Sequence, residues 1–412
     1  MSEKNGVPFS TSSKPGGSLK KCSINDIFRN YYKGYCKKFK GHISPQQYKV
    51  INALTACRTI NLGGHLYKCD SCEKYHTVYN SCKNRHCPTC QSLKAAEWLL
   101  KRRAELLPIQ YFHIVFTVPD DLNPVFLQNK KVMYTLLFNS VSKTLKQLSS
   151  DKKYLGAGQI GYISVLHTWG QNLLDHPHIH TIVTGGGLSK DKKTWISSKK
   201  DYFINVKVMS QRFRSIFLLG LKELYKNKEI KFYGNLKKFK WKNVFQKLID
   251  KLFAKSWVVH SEANYSDPKN IFDYLGRYVQ KVAISNNRII KIEDSKVYFS
   301  YKDYADNGKK KIMVLDVDEF IRRFLLHVLP KRFVKIRYYG LLSFKNRKEK
   351  LDLCRKFLGV KANELNEEKI PECWQELYEF VTGNEINKCP YCGEGKLIFV
   401  REIMPRYAIR GP

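Results

Sequence analysis

Two short cysteine pairs constrain this chain more than any other feature. Cys69-x2-Cys72 is followed, after fourteen intervening residues, by Cys87-x2-Cys90. A CxxC turn presents two thiolates to one tetrahedral ion, and a second turn closes the coordination with no open position. Four cysteines seldom take that spacing for packing reasons, so Cys69, Cys72, Cys87 and Cys90 are expected to hold structural Zn2+. His65, His76, Cys82 and His86 lie among them, making eight donors within 26 residues. That leaves open whether one zinc ion or two are held. Such a unit does no chemistry itself; it sets Lys83, Arg85 and Lys94 where they can meet a phosphate backbone. A further pair, Cys389-x2-Cys392, would be half of another site, with Cys354 and Cys373 as the completing thiols. Two buried free thiols beside an unpartnered knuckle is the competing reading. Cysteines spaced in this way suit metal binding in a reducing compartment better than a disulfide framework.

Charge narrows the partners. Lys and Arg number 73 against 36 Asp and Glu, a net charge of +37 over 412 residues. A surplus of that size attracts a polyanion, with nucleic acid as the expected partner; its bland counterpart is a solvated lysine-rich surface. An anionic membrane is the rival partner, but the longest apolar runs, Ile216–Leu221 and Phe324–Leu329, are far too short to span one. The first residues carry no apolar secretory segment, so a cytoplasmic, nucleoid-associated protein is expected.

Along the chain, Gly, Ser, Pro and Lys dominate the first twenty residues, which are expected to be disordered. Ile24 to Arg58 reads as helical, with Ser44-Pro45 marking a helix start, and Ser92–Leu107 repeats its apolar residues near a 3.6 period. Tyr111–Val118 is a β-branched and aromatic strand stopped by Pro119. Helix is expected over Asn129–Leu148 and Arg212–Tyr225, and strand over Ile160–Trp169 and Ile179–Thr184, the latter ending at Gly185-Gly186-Gly187. The basic stretch Lys226–Lys242 reads as a loop lying on DNA. Trp257–Ser261 is strand-like, and Asp267-Pro268 opens a helix to about Val282. Strands grouped with helices through antiparallel connections give an α+β class.

His178-Ile179-His180 carries the chemistry. Residues i and i+2 of a strand face one side, about 7 Å apart, so both imidazoles can grip one ion while Ile179 points to the core. Two neutral histidines and a third ligand leave positions open for phosphate oxygens. His167, on the preceding strand, is the first choice of third ligand, Gln171 the second and His113 the third. A carboxylate able to activate water would have to be Asp175. Tyr274 and Tyr278, four apart in the expected helix, project from one face. Spaced tyrosines are commonly packing residues, and the chain has 25 of them; beside a paired-imidazole strand they become candidate nucleophiles, because a phenol needs metal or base assistance. Arg277 between them either steadies a phosphate or is a surface cation. Lys331–Arg347, which includes Arg337, mixes cations with aromatics, as single-strand binding requires and as a basic strand edge also does.

Six collinear blocks carry a resemblance. They are SCKNRHCPTCQ, HIVFTVPDDLNP, LHTWGQNLLDHPHIHTIVTGGGL, YLGRYVQKVAISNNRI, KIRYYGLLS and CPYCG, spread between Cys69 and Cys392. In content and order the chain resembles the two-tyrosine HUH transposases of bacterial rolling-circle insertion sequences, the family with an N-terminal zinc-binding domain. The resemblance implies an α+β HUH endonuclease-type antiparallel sheet with flanking helices and a small zinc-binding domain. The organisation expected along the chain is a disordered basic tail at 1–20, a helical and zinc-binding domain at 21–107, an HUH catalytic domain at 108–320, and a C-terminal DNA-binding region at 321–412 that includes the Cys389-x2-Cys392 knuckle. The resemblance also implies attack by Tyr274 or Tyr278 on single-stranded DNA at the ends of an insertion element and on target DNA, through 5′-phosphotyrosine intermediates, with Mg2+ or Mn2+ as catalytic ion. No Walker-type loop is present, and transesterification needs none. The alternative from another class is a non-catalytic zinc-binding nucleic-acid-binding protein. Which tyrosine acts first, the DNA sequences recognised and the oligomeric state are left open by the sequence.

Overall fold

The structure, a computed structural model, describes residues 22–263, 283–360 and 371–406. Two helices come first, α1 (Ile24–Lys38) and α2 (Pro45–Ala56). Each starts at a serine whose hydroxyl accepts the N3 amide proton while the N3 side chain, Asp26 or Gln47, returns the bond. This reciprocal capping satisfies amides that the helix itself cannot pair, and it places the second start at Ser44-Pro45 as expected. A hairpin, β1 (Gly64–Cys69) and β2 (Tyr75–Tyr79), leads to α3 (Gln91–Arg103).

The central layer is a six-stranded antiparallel sheet. It contains β3 (Tyr111–Thr117), β4 (Gln159–Trp169), β5 (Asp175–Leu188), the short β6 (Trp195–Ser197), β7 (Val258–Glu262) and β11 (Ile336–Gly340). Its main order is β11-β4-β5-β3-β7, with β6 pairing the far end of β5. Between these strands run α4 (Asn123–Gln128), α5 (Lys130–Ser150), α6 (Val206–Lys226) and α7 (Lys242–Ala254). Phe112, Ile114, Phe116, Tyr162, Leu166, Ile179 and Val183 point from one sheet face into the apolar layer formed with α5, α6 and α7. The opposite face carries Tyr111, Ile163, Val165 and Ile182, which pack on Leu99 and Leu107 and on Leu351 of α9 (Arg347–Phe357). Burial on both faces is why β5 reads as a nearly continuous run rather than an alternating one.

β5 is longer than expected. Gly185-Gly186-Gly187 do not end it; they carry it on to Leu188, against β4 and β6. A Cβ at Gly187 would sit 2.3 Å from the Gln159 carbonyl oxygen, so the glycines mark close backbone approach rather than a turn. The basic stretch after Lys226 also differs from an open loop. Phe232, Leu236 and Phe239 pin it to the main core, leaving Lys237, Lys238 and Lys240 exposed.

A second sheet, β8 (Ile289–Glu293), β9 (Lys296–Asp303) and β10 (Lys309–Asp316), is followed by α8 (Val317–Leu326). Its Val297 and Phe299 share one apolar cluster with Phe320 and Phe324 of α8 and with Ile24, Phe28, Val50 and Ile51 of the first two helices. After α10 (Trp374–Thr382), the last strand, β12 (Leu397–Ile403), returns to pair antiparallel with β1. Packing therefore joins stretches that lie hundreds of residues apart.

Candidate metal centres

β5 is central in the sheet, and strand register brings its histidines together with a third. His178 lies directly across from His167 on β4. Opposed residues in antiparallel strands share a face, so His167, His178 and His180 converge, their ligand-type nitrogens lying within 4.8 Å of one another. Ring centroids are 4.2 Å apart for His167 and His180 and 4.9 Å for His178 and His180. Trp169 stacks on His167 at 4.7 Å. Gln171, the second choice, follows β4, where its backbone carbonyl accepts from Arg288.

The hydrogen bonds assign the ring nitrogens. His178 Nδ1 lies 2.6 Å from the His176 carbonyl oxygen, a contact that only a protonated Nδ1 can make, so Nε2 carries the lone pair. His180 Nδ1 meets His113 Nε2 at 2.8 Å, and His113 Nδ1 faces the Glu262 carboxylate at 3.8 Å. Glu262 also accepts from His260 Nε2 at 2.8 Å. His113 is thus the outer partner behind His180, of the kind that fixes the tautomer of a metal-binding histidine, with the Glu262 carboxylate in ion-pair range of its other nitrogen. His113, weighed as a third ligand, stands instead behind His180. Burial drives the His178 imidazole down to about 3, with His176 as a lesser cause, and pushes His180 well below its ordinary value. Both rings are therefore neutral, the form that can donate to a metal. Three imidazole nitrogens fit one divalent ion with positions left for oxygen ligands.

Asp175 does not join them. Its carboxylate is buried, both oxygens lacking a hydrogen-bond partner among the described residues. Burial pushes it up to about 7, partly offset by the Lys130 ammonium of α5.

Two further clusters are made of thiols, and they are not the set that spacing suggested. Cys57, Cys82, Cys87 and Cys90 form one; Cys69, Cys72, Cys389 and Cys392 form the other. The expected grouping of Cys69 and Cys72 with Cys87 and Cys90 is therefore corrected: each CxxC pair closes with a different partner. Cys57, at the C-terminal end of α2, was missed because a single cysteine after a helix has no spacing to mark it. Cys354 and Cys373 do not complete the Cys389 pair; Cys354 is buried in the apolar cluster under α9, and the Cys373 sulfur caps α10 by accepting from the Glu376 amide. Nor do the neighbouring histidines join. His86 is buried, its Nδ1 on Asn84 and its Nε2 accepting the Leu329 amide proton. His65 packs on Tyr67 and Phe399, and His76 on Tyr391. Four thiols without a carboxylate suit zinc, and the first cluster lies against the core that joins α1, α2 and α8.

The expected DNA-facing cations are placed unequally. Lys83 is exposed. Arg85 donates to the backbone carbonyls of Phe333 and Pro330, so its guanidinium braces a loop. Arg337 lies over the Phe138 ring at 4.1 Å. Tyr274, Tyr278 and Arg277, with the helix expected around them, lie outside the described residues.

A mixed α+β fold with antiparallel sheets, an imidazole cluster on the central strand and a cysteine-rich centre is consistent with an HUH-type architecture. Comparison with known proteins makes this specific. Residues 161–350 match a family model described as a putative transposase, and residues 27–118 match a transposase zinc-binding domain. The chain is 44% identical over 377 residues to the putative transposase y4qJ of Sinorhizobium fredii, covering 92% of this chain and 94% of that protein. It is 26% identical over 314 residues to the transposase for insertion sequence element IS801 of Pseudomonas savastanoi pv. phaseolicola, covering 74% and 72%. No solved structure matches it. The chain belongs to this HUH-like transposase family, whose members carry an N-terminal zinc-binding domain. No helix of the described residues is long and apolar enough to cross a membrane.

Proposed function

We propose that the protein cleaves and rejoins single-stranded DNA through tyrosine nucleophiles, at the ends of an insertion element and in its target. The observation that carries this reading is the convergence of His167, His178 and His180 on the central strand pair. Those residues would hold the catalytic ion, Mg2+ or Mn2+, which when bound supplies charge stabilisation for a phosphate oxygen. Nitrogen ligands favour Mn2+ on softness, abundance favours Mg2+.

Tyr274 or Tyr278 attacks the scissile phosphorus. The phenol loses its proton and bonds to the 5′-phosphate, while the 3′ oxygen leaves and is protonated. The products are a 5′-phosphotyrosine bond and a free 3′-OH. The second tyrosine cleaves another strand, and a 3′-OH attacks one of the phosphotyrosine bonds to join ends. Bond energy is conserved throughout, so no nucleotide cofactor is consumed. The Cys57, Cys82, Cys87 and Cys90 thiols would hold a structural zinc ion away from this chemistry. The relative for IS801 is named for an insertion sequence element, which supports the element-end substrate.

The test is incubation with Mn2+ and a labelled single strand containing an element end, followed by a denaturing gel. A covalent protein–DNA band is expected that persists in Tyr274→Phe or in Tyr278→Phe and vanishes in the double variant. Cleavage without any adduct would point to water as nucleophile and overturn the reading. Binding without cleavage would favour a non-catalytic binder.

A further inference from the structure

The geometry points to a second zinc site, a clasp in which Cys69 and Cys72 from near one end of the chain and Cys389 and Cys392 from near the other hold a single ion. Two observations carry it independently. The first is sulfur geometry. Cys69 Sγ lies 3.7 Å from Cys392 Sγ, and Cys72 Sγ lies 3.7 Å from Cys389 Sγ. Zinc–sulfur bonds of about 2.3 Å in a tetrahedron put sulfurs about 3.8 Å apart, whereas a disulfide needs about 2.0 Å. Each pair is built the same way. The Cys69 amide donates to the Lys74 carbonyl and the Cys389 amide to the Gly395 carbonyl, closing two similar loops. The amides of Cys72, Tyr391 and Gly395 donate to Cys69, Cys389 and Cys392 sulfurs, each at 3.4 Å, which favours the thiolate form that a metal requires. A Cβ at Gly395 would lie 2.4 Å from the Cys69 sulfur, so the second loop closes over the first only with glycine there.

The second observation is that this corner of the protein lacks an apolar core. The β12-β1-β2 sheet is paired along its length, yet none of its residues belongs to the three apolar clusters of the described residues. Tyr75, Val78, Ile398, Phe399 and Val400 are exposed. A three-stranded sheet without a buried face is not stable alone. Its outer strand must also be brought from more than 300 positions away, since Cys69 and Cys392 are 323 residues apart. Closing so long a loop costs entropy, and a four-thiolate zinc site offsets that cost because its binding free energy becomes folding free energy.

The test is zinc content of the full-length protein, purified without chelator and measured by mass spectrometry. Two zinc ions per chain are expected, one for each thiol cluster. Cys389→Ser with Cys392→Ser should lower the count to one, and Cys82→Ser with Cys90→Ser should also leave one. The first pair tests the clasp and the second the other centre, so failure of either is told apart. Should a serine variant not fold, Cys392→His supplies an alternative ligand and should retain both ions. On wild-type protein, mercurial titration should release zinc at four thiols per ion. A wild-type zinc content, whether one ion or two, that is unchanged by Cys389→Ser with Cys392→Ser would overturn the clasp.

Discussion

At the scale of single residues, the imidazole cluster depends on side chains that do not themselves converge with it. His113 orients His180, and Glu262 faces His113 from β7. His113→Ala should weaken Mn2+ binding about 10- to 100-fold, the usual effect of removing such a support, while His113→Gln should recover part of it; calorimetric titration reads both. Asp175 makes a different prediction. It faces Lys130 and Tyr134 of α5, and Lys130 is itself lowered to about 8 by burial while donating to the Leu326 and Val328 carbonyls. The folded-state value of Asp175, about 7, lies above its ordinary 3.8. Below about pH 4 it is protonated in both folded and unfolded chains and costs nothing; between about 4 and 7 only the unfolded chain loses the proton, so stability falls as pH rises, and the loss persists above 7. Asp175→Asn should therefore stabilise the protein by roughly 1–2 kcal/mol at pH 8 and have little effect at pH 4, as urea unfolding would show. Equal effects at both pH values would contradict the assignment. The sequence offered Asp175 as a water-activating base, and burial away from the imidazoles is what removes it from that role.

At the scale of elements, local signals in the sequence were reliable where one stretch decides the outcome. The Ser44-Pro45 start is such a case, and Ser44→Ala should cost about 1 kcal/mol through loss of its reciprocal cap, measurable by thermal denaturation. The aromatic and β-branched runs gave β3 and β4 almost to their ends. The convergence of His167 with His178 and His180 was also legible, because two neighbouring strands of a hairpin define their own register. What stayed hidden were choices between equivalent partners. A CxxC pair announces a metal knuckle but not which second pair closes it; pairing here is set by the return of β12 onto β1, a contact between sequence-distant strands. The same holds for Cys57, a ligand-type thiol supplied by the end of a helix. The glycines of β5 misled because a glycine run signals a turn and close backbone approach equally well. Gly395→Ala is the sharpest element-scale test. The added methyl meets Cys69, Ser71 and Asp70, so β12 should be cut by protease faster than in wild type while the six-stranded sheet stays protected.

At the scale of the whole molecule, a net charge of +37 predicts that single-strand binding is dominated by phosphate contacts. A footprint of about six phosphates should lose on the order of 10²-fold in affinity between 50 and 200 mM salt. Salt-insensitive binding in a fluorescence titration would show that the charge merely solvates the surface. The fold divides the labour: one thiol cluster lies within residues 57–90, the other joins strands from near both chain ends, and the imidazoles stand on the adjacent strands β4 and β5 of the main sheet. The family relationship explains why these parts occur together, and the register of β4 and β5 explains how three imidazoles become one donor set. The most direct measurement of the central claim is Mn2+ binding to zinc-loaded protein, followed by electron paramagnetic resonance. One Mn2+ per chain is expected in wild type, with His178→Ala, His180→Ala and His167→Ala each abolishing it and abolishing DNA cleavage together. Cleavage that continues in His178→Ala with His180→Ala, or Mn2+ binding unchanged by those substitutions, would contradict the account.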